Sequence, residues 1–161
     1  NIKLIFILIF IVYIFIYFSI FFLLTNYIQF KIILFSLLVS CIASDIGGYI
    51  IGKTFKGPKI SKISPNKTYA GSVGSIVFCC ISFIGLIYIL TQNFNFLFIL
   101  TGLIVSITCQ LGDFFFSYLK RKAKKKDTGN FLPGHGGFLD RIDGILFGVP
   151  VGFIFLLLYL T

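Results

Sequence analysis

Long apolar stretches alternate with short polar connectors along the whole chain. The apolar stretches cover residues 2–24, 31–52, 70–90, 96–116 and 138–160. Each is close to the ~20 apolar residues that an α-helix needs to cross the hydrocarbon core of a bilayer. The pattern therefore predicts an all-α, polytopic integral membrane protein with about five transmembrane helices. The length of 161 residues indicates a single domain, 1–161.

Composition supports the same class of protein. Hydrophobic residues make up 58% of the chain, more than is usual in soluble domains. The chain contains no methionine, and its first apolar stretch lacks the cleavage site of a signal peptide, so we expect that N-terminal helices of the full-length protein are missing. The cysteines have spacings that suggest neither a zinc site nor disulfide bonds, and all fall in apolar stretches: Cys41, Cys79, Cys80 and Cys109.

Most of the positive charge lies in two of the connectors, and the formal net charge is +9. The first connector contains Lys53, Lys56, Lys59, Lys62 and Lys67, and the second contains Lys120, Arg121, Lys122, Lys124, Lys125, Lys126 and Arg141. The positive-inside rule assigns both connectors to the cytoplasm. Two predicted helices separate them, which returns the chain to the same side, so hydropathy and charge agree.

Four of the five aspartates fall near the cytoplasmic ends of the predicted helices. Asp45 lies near the end of the second helix, Asp113 near the end of the fourth, and Asp140 and Asp143 open the fifth. These carboxylates share one depth, where a buried charge is costly unless a cation accompanies it. Either a metal ion or the connector lysines can provide this positive charge. The i, i+3 spacing aims Asp140 and Asp143 in one direction, whereas Arg141 points elsewhere, toward a phosphate.

Two connector sequences have features of anion binding. "KISPNKT", residues 62–68, is a proline-containing turn with lysines and hydroxyls, and "KDTGNFLPGHGG", residues 126–137, is rich in glycine, so its backbone N–H groups can cradle an anion. Neither matches the P-loop pattern, which excludes an ATPase of that type. His135 can ligate a cation, donate to a phosphate or hold the loop. Gly47 and Gly48 allow either helix packing or close approach of a ligand.

The stretch 117–143, "SYLKRKAKKKDTGNFLPGHGGFLDRID", resembles the signature of the phosphatidate cytidylyltransferases, or CDP-diacylglycerol synthases. Every fixed position of that signature is filled, by Ser117, Lys120, Arg121, Lys126, Asp127, Gly129, Pro133, His135, Gly136, Gly137, Asp140, Arg141 and Asp143. The stretches "SDIGGYIIGKTFKGPKISKISPNKTYAG" and "QLGDFFFS" resemble two further blocks, so the resemblance covers residues 43–143. Ala70 and Phe116 depart from it, because the family often has an acidic or amide residue at the first position and a glutamate at the second.

The resemblance implies that a cytidylyl group passes from CTP to phosphatidate, giving CDP-diacylglycerol and pyrophosphate. It implies Mg²⁺ as the cofactor, optionally with a second cation such as K⁺. The implied principal metal ligands are Asp113 and Asp140, supported by Asp143 and Asp45. The implied catalytic residues are Asp113, Asp140, Asp143 and Lys126. The implied substrate-binding residues are Ser64, Lys67, Thr68, Ser117, Lys120, Arg121, His135, Gly136, Gly137 and Arg141.

The same resemblance implies partners and a location. The partners are CTP, phosphatidate and the lipid bilayer, with no nucleic acid, and a homodimer is compatible with the family. The location is the inner membrane of a bacterial cell, with a multi-pass chain whose active site and basic connectors face the cytoplasm.

Three alternatives stay open from the sequence. A related enzyme with the same fold can act on another lipid phosphate, as archaeal CDP-lipid synthases do, and substrate competition would separate the two. An ion transporter or channel predicts acidic residues at several depths along a route. A structural membrane subunit with topogenic lysines predicts no Mg²⁺-dependent binding of CTP.

Overall fold

The protein consists of five α-helices in a computed structural model that describes residues 2–24, 26–60, 64, 67–125 and 139–160. For residues 2–7, 24, 139–141 and 160 the description covers the backbone alone. The helices are α1 (Ile2–Leu24), α2 (Ile28–Phe55), α3 (Tyr69–Thr91), α4 (Phe96–Lys122) and α5 (Leu139–Leu160). Within these ranges there is no β-strand, and extended backbone pairs at a single antiparallel bridge between Lys59 and Thr68.

Four helical stretches are long and apolar enough to cross a bilayer. They are Ile28–Phe55, Tyr69–Thr91, Phe96–Lys122 and Ile142–Tyr159, and a shorter apolar stretch, Leu8–Leu23, lies in α1. Side chains without polar groups cover much of the outer surface of these helices, as lipid contact requires. The prediction of an all-α, polytopic membrane protein is confirmed.

The predicted ends of two helices are wrong on the side of the basic connectors. α2 continues to Phe55 and α4 to Lys122, so Lys53, Ser117, Lys120 and Arg121 are helical rather than part of a connector. A prediction from hydropathy places the end of a helix where charged residues begin. Lysine and arginine are nevertheless good helix formers, so the helix can continue through them. Positive side chains in the last turn of α4 also interact favourably with the negative end of the helix dipole.

Glycines let α2 and α3 approach until their backbones touch. A Cβ atom at Gly71 would lie 2.8 Å from the carbonyl oxygen of Gly48, and one at Gly74 would lie 2.8 Å from the carbonyl oxygen of Gly47. No larger side chain fits at these positions, which is the usual way that membrane helices pack closely. Helix packing thus accounts for both glycines that follow Asp45.

A second close approach joins α4 to α5. A Cβ atom at Gly112 would lie 2.9 Å from the carbonyl oxygen of Asp143, and one at Gly144 would lie 2.8 Å from Oδ1 of Asp113. The two glycines therefore allow the two aspartates of neighbouring helices to lie side by side. Further toward the other end, small and branched residues fill the core between α2, α4 and α5, among them Leu37, Cys41, Val105, Cys109 and Val149.

α1 packs against the other helices mainly through aromatic side chains. The rings of Phe10 and Phe116 meet edge to face with centroids 6.2 Å apart, and Tyr17 and Phe21 pack against the buried core. Phe116 also contacts Phe147 of α5, with ring centroids 6.0 Å apart. Phe116 stands where the family that the sequence resembles often has a glutamate, and its buried ring joins three helices.

Candidate functional site

A polar cavity of about 220 Å³ opens between α2, α3 and α4 at the ends that carry the basic connectors. Its walls carry carboxylate, ammonium, hydroxyl and amide groups, from Asp45, Tyr49, Lys67, Thr68, Ser72, Ser75, Gln110 and Asp113, and backbone at Gly48 and Gly71. Polar groups at this density are expensive next to lipid unless they bind something or one another. The cavity is therefore the candidate functional site.

Backbone pairing in the first basic connector holds Lys67 at the cavity. The backbone N–H of Lys67 donates to the carbonyl of Ser64 (3.2 Å), and its own carbonyl accepts from the N–H of Ile60 (3.0 Å). The bridge between Lys59 and Thr68 extends this pairing. Thr68 then caps α3, because its hydroxyl oxygen accepts from the N–H of Gly71 (3.1 Å).

The ammonium group of Lys67 reaches α4. Its Nζ lies 2.6 Å from Oδ2 of Asp113, and 4.7 Å from the centroid of the Phe114 ring. The side chain of Asp113 is 17% exposed and that of Lys67 is 29% exposed, so water screens the pair only in part. The contact is a charge-assisted hydrogen bond between the first connector and α4.

Asp113 interacts with both of the other aspartates whose side chains the structure describes. Its carboxyl group interacts electrostatically with Asp143 on α5 and with Asp45 on α2. Asp143 in turn lies 3.7 Å from Nζ of Lys120 and accepts from the N–H of Gly144 (3.0 Å). The expectation that carboxylates from three helices meet at one depth agrees with this arrangement.

Gln110 and buried serines support the cavity from the core side. Nε2 of Gln110 donates to the carbonyl of Ser72 on α3 (3.4 Å) and to the hydroxyl of Ser106 (3.3 Å). The Ser106 hydroxyl pairs with that of Ser44 on α2 at 3.1 Å, and both serines are buried. These bonds link α2, α3 and α4 behind Asp113, which fixes the cavity walls relative to one another.

Four residues that line the cavity have no predicted role: Gln110, Ser72, Ser75 and Tyr49. A usable signal existed for one of them. Gln110 precedes Asp113 by three residues and so shares its helix face, whereas the other three depend on how α2 and α3 cross.

The structure brings together five of the predicted site residues: Asp45, Lys67, Thr68 and Asp113 line the cavity, and Asp143 interacts electrostatically with Asp113. Lys120 joins them through Asp143. Ser64 contributes its carbonyl to the turn before Lys67.

Two predicted residues on α4 lie apart from the cavity. Ser117 and Arg121 are helical and are not among the described residues that line it, and Arg121 is exposed. Several others lie outside the described residues: Lys126, His135, Gly136 and Gly137 entirely, and Asp140 and Arg141 for their side chains. Their predicted roles stay predictions.

The donor atoms of the site suit a hard divalent cation. Carboxylate, amide and hydroxyl oxygens are the ligands that Mg²⁺ prefers, and among the described residues no thiol or imidazole lines the cavity. Within the described part of the chain no three aspartate, histidine, cysteine or glutamate side chains gather in one metal-binding group. Asp113 and Asp143 nevertheless lie together, and the neighbouring Asp140 belongs to the first turn of α5. The oxygen donors of the residues present are therefore of the chemical type that binds Mg²⁺.

Fold and site together define a class of protein: a polytopic helical membrane protein with a cavity of aspartates and lysines at one end of its helices. Residues 2–159 match the cytidylyltransferase family, and the chain belongs to that family.

Relatives of known name support the assignment. The phosphatidate cytidylyltransferase of Rickettsia bellii is 45% identical over 125 residues, covering 72% of this chain and 54% of the relative. That of Mycobacterium leprae is 41% identical over 113 residues (70% and 36%), and that of Synechocystis is 40% identical over 129 residues (77% and 43%). The chain thus spans about half or less of the length of the curated relatives that it matches.

Proposed function

We propose that this chain carries the catalytic site of a phosphatidate cytidylyltransferase, which transfers the cytidylyl group of CTP to phosphatidate. The observation that carries the proposal is the meeting of Asp113 with Lys67, Asp45 and Asp143 at the connector end of the membrane helices. Membership of the cytidylyltransferase family and the names of its relatives support the choice of substrates. A lipid phosphate in the headgroup layer and a soluble nucleotide can both reach that depth.

In the proposed reaction a phosphate oxygen of phosphatidate attacks the α-phosphorus of CTP. The new P–O bond forms as the bond between the α-phosphorus and the bridging oxygen breaks, and pyrophosphate leaves with that electron pair. A phosphate monoester is already ionised near neutral pH, so no general base is needed to create the nucleophile. The chief obstacle is repulsion between two anions, which positive groups in the site must offset.

Lys67 and Lys120 supply positive charge on two sides of the aspartates. When substrate phosphates enter the cavity, Lys67 can exchange its bond to Asp113 for one to a phosphate oxygen, because both acceptors are anionic oxygens within reach of one flexible side chain. Thr68 and the first N–H groups of α3 line the same wall, where the positive end of the helix dipole favours an anion.

Mg²⁺ is part of the proposal, with Asp113 and Asp143 as ligands together with Asp140, and Asp45 in support. When bound, the ion would neutralise charge on the phosphates and hold the attacking and leaving oxygens in line. Without it, Asp45, Asp113 and Asp143 would face anionic substrates, and within the described residues their cationic partners are Lys67 and Lys120. We also propose that the cavity and both basic connectors face the cytoplasm of a bacterial inner membrane, as the positive-inside rule predicts.

The test is transfer of label from CTP carrying ³²P in its α-phosphate to a lipid-soluble product, using the purified chain and phosphatidate in detergent. Transfer with added Mg²⁺, and its loss on chelation with EDTA, is the expected result. A parallel reaction with an ether-linked archaeal lipid phosphate distinguishes the related enzyme class. Absence of lipid-soluble label above that of the Asp113→Asn variant would contradict the proposal for this chain.

A further inference from the structure

α5 contains a backbone carbonyl that the helix itself cannot pair in the normal way. Pro150 lies inside α5, and proline has no N–H to donate to the carbonyl four residues earlier, which belongs to Leu146. In lipid no water replaces the missing donor, so an unpaired carbonyl is costly. A proline in a membrane helix therefore calls for a partner from a neighbouring element.

Tyr13 of α1 provides that partner. Its hydroxyl donates a hydrogen bond to the carbonyl oxygen of Leu146. Tyr13 and Pro150 both line an apolar cavity of about 180 Å³ between α1, α2 and α5. Tyr13 and Tyr17 are the two residues of that lining with polar side-chain atoms, so the cavity wall offers few other donors to α5.

The bonded carbonyl is close to the functional site along α5. Leu146 follows Asp143 by three residues, so one helical turn separates the Tyr13 contact from the carboxylate that meets Asp113. Gly112 and Gly144 also let this turn of α5 pack closely against α4. The segment of α5 before the proline is thus held between α4 and α1, and a proline would otherwise let it pivot.

We propose that Tyr13 is a positioning residue of the site: its hydroxyl replaces the N–H that Pro150 lacks and so holds the turn of α5 that carries Asp143. Tyr13 does not touch the substrates, and it acts through Asp143. The catalytic consequence rests on the proposed function, whereas the structural coupling between Tyr13 and Pro150 does not.

The experiment is a double-mutant cycle with Tyr13→Phe and Pro150→Ala. The first change removes the hydroxyl and keeps the ring. The second restores an N–H at position 150 that can donate to Leu146, which makes the hydroxyl redundant. Amide hydrogen exchange across residues 143–149, measured by mass spectrometry on the purified chain in detergent, reports the opening of this turn directly.

We expect Tyr13→Phe to speed exchange of these amides by about threefold to twentyfold, the range that buried hydrogen bonds between membrane helices produce. In the Pro150→Ala background the same change should have almost no effect. Tyr17→Phe is the matched control, because it removes a hydroxyl from the same cavity wall, and it should leave exchange unchanged. An effect of Tyr13→Phe no larger than that of Tyr17→Phe, or one of equal size with alanine at 150, would overturn the inference.

The catalytic readout is steady-state cytidylyl transfer by Tyr13→Phe, by Pro150→Ala, by the double variant and by the control Tyr17→Phe. Tyr13→Phe should lower kcat more than it changes KM for CTP, and Pro150→Ala should rescue the loss. A kcat unchanged by Tyr13→Phe, despite faster exchange, would overturn the positioning role. If the unsubstituted chain transfers no cytidylyl group, the proposed function fails, and the exchange cycle still decides whether Tyr13 pairs the carbonyl.

Discussion

Two of the cavities formed by the described residues have similar sizes and walls of opposite character. The polar cavity, about 220 Å³, contains two carboxylates and an ammonium group, whereas the apolar cavity, about 180 Å³, is lined by aliphatic and aromatic side chains. The walls of the polar cavity belong to α2, α3 and α4, whose backbones touch at glycines or are linked by buried hydrogen bonds. The apolar cavity separates α1 from α2 and α5, and α1 is held there mainly by rings.

The difference agrees with the function that we propose for the polar cavity. Carboxylates and lysines must keep fixed distances to bind an ion or a phosphate, and touching backbones provide that precision. Aromatic side chains tolerate small shifts, because ring contacts remain favourable over a range of distances and angles. Substitutions at the polar cavity should therefore have sharp and specific effects, and those at the apolar cavity mild ones, apart from the Tyr13 hydroxyl.

The largest effect is expected for Asp113→Asn, which keeps the shape of the side chain. The substitution removes the negative charge that interacts with Lys67, Asp45 and Asp143. Cytidylyl transfer should fall by at least about a hundredfold, since the variant loses a proposed metal ligand and the partner of Lys67. The measurement is the labelled transfer assay with matched protein amounts. Tyr17→Phe in the apolar cavity is the control and should retain the rate. A residual rate above a tenth would contradict the central role of Asp113.

A smaller loss is expected for Lys67→Met, which makes part of the polar cavity resemble the apolar one. Loss of a charge-assisted bond costs roughly 1.5–3 kcal/mol, so kcat/KM for CTP should fall by about tenfold to a hundredfold. Lys67→Arg keeps the charge but changes its geometry, and it should restore part of the loss. Equal activity of the two variants would mean that the charge at position 67 is not what matters.

Two alanine substitutions in α3 should have opposite effects on stability. Gly71→Ala forces a Cβ atom against the carbonyl of Gly48, and we expect it to lower the free energy of unfolding by about 1–3 kcal/mol. Gly85→Ala adds a Cβ atom that meets nothing within 4 Å, and it should raise the same quantity by up to about 1 kcal/mol through helix propensity. Thermal unfolding in detergent measures both. Equal effects would refute a backbone contact at Gly71.

The smallest effect is expected for Ser106→Ala, which breaks the bonds from Ser106 to Ser44 and Gln110 behind the polar cavity. Such bonds in membrane proteins are worth about 0.6 kcal/mol on average. Ser36→Ala is the matched control, because Ser36 is equally buried and its hydroxyl has no hydrogen-bond partner within the described residues. The control should be neutral in thermal unfolding. A larger loss for Ser36 than for Ser106 would contradict the supporting role of the serine pair.

Much of the fold could be predicted from the sequence. Apolar runs near the thickness of a bilayer locate each helix to within a few residues, because lipid forces the backbone to pair within its own helix. The errors are at Ile28, where α2 begins three residues before its predicted start, and at Phe55 and Lys122, where α2 and α4 extend into the basic connectors. Charge marks the surface of the hydrocarbon there and does not end a helix.

Part of the site could be predicted as well. Asp45, Asp113 and Asp143 had to lie at one depth once the helices and the basic connectors were assigned, and the resemblance to a family singled out the same residues. The pairing of Lys67 with Asp113 had no sequence signal, because 46 residues separate the two partners. Gln110 could be placed beside Asp113 from its spacing, but its bond to Ser72 could not, because that bond depends on which face of α3 is opposite.

The sequence by itself thus determined that the chain crosses a membrane, where its helices lie and at which end its charges gather. These properties depend on local hydrophobicity and on charge, which each residue carries with it. The tertiary structure alone decided which charges meet and which carbonyl receives the Tyr13 hydroxyl. Those contacts depend on how the helices are rotated and how they cross. Small residues such as Gly48, Gly71 and Gly112 allow this close packing, but their presence in the sequence does not predict its geometry.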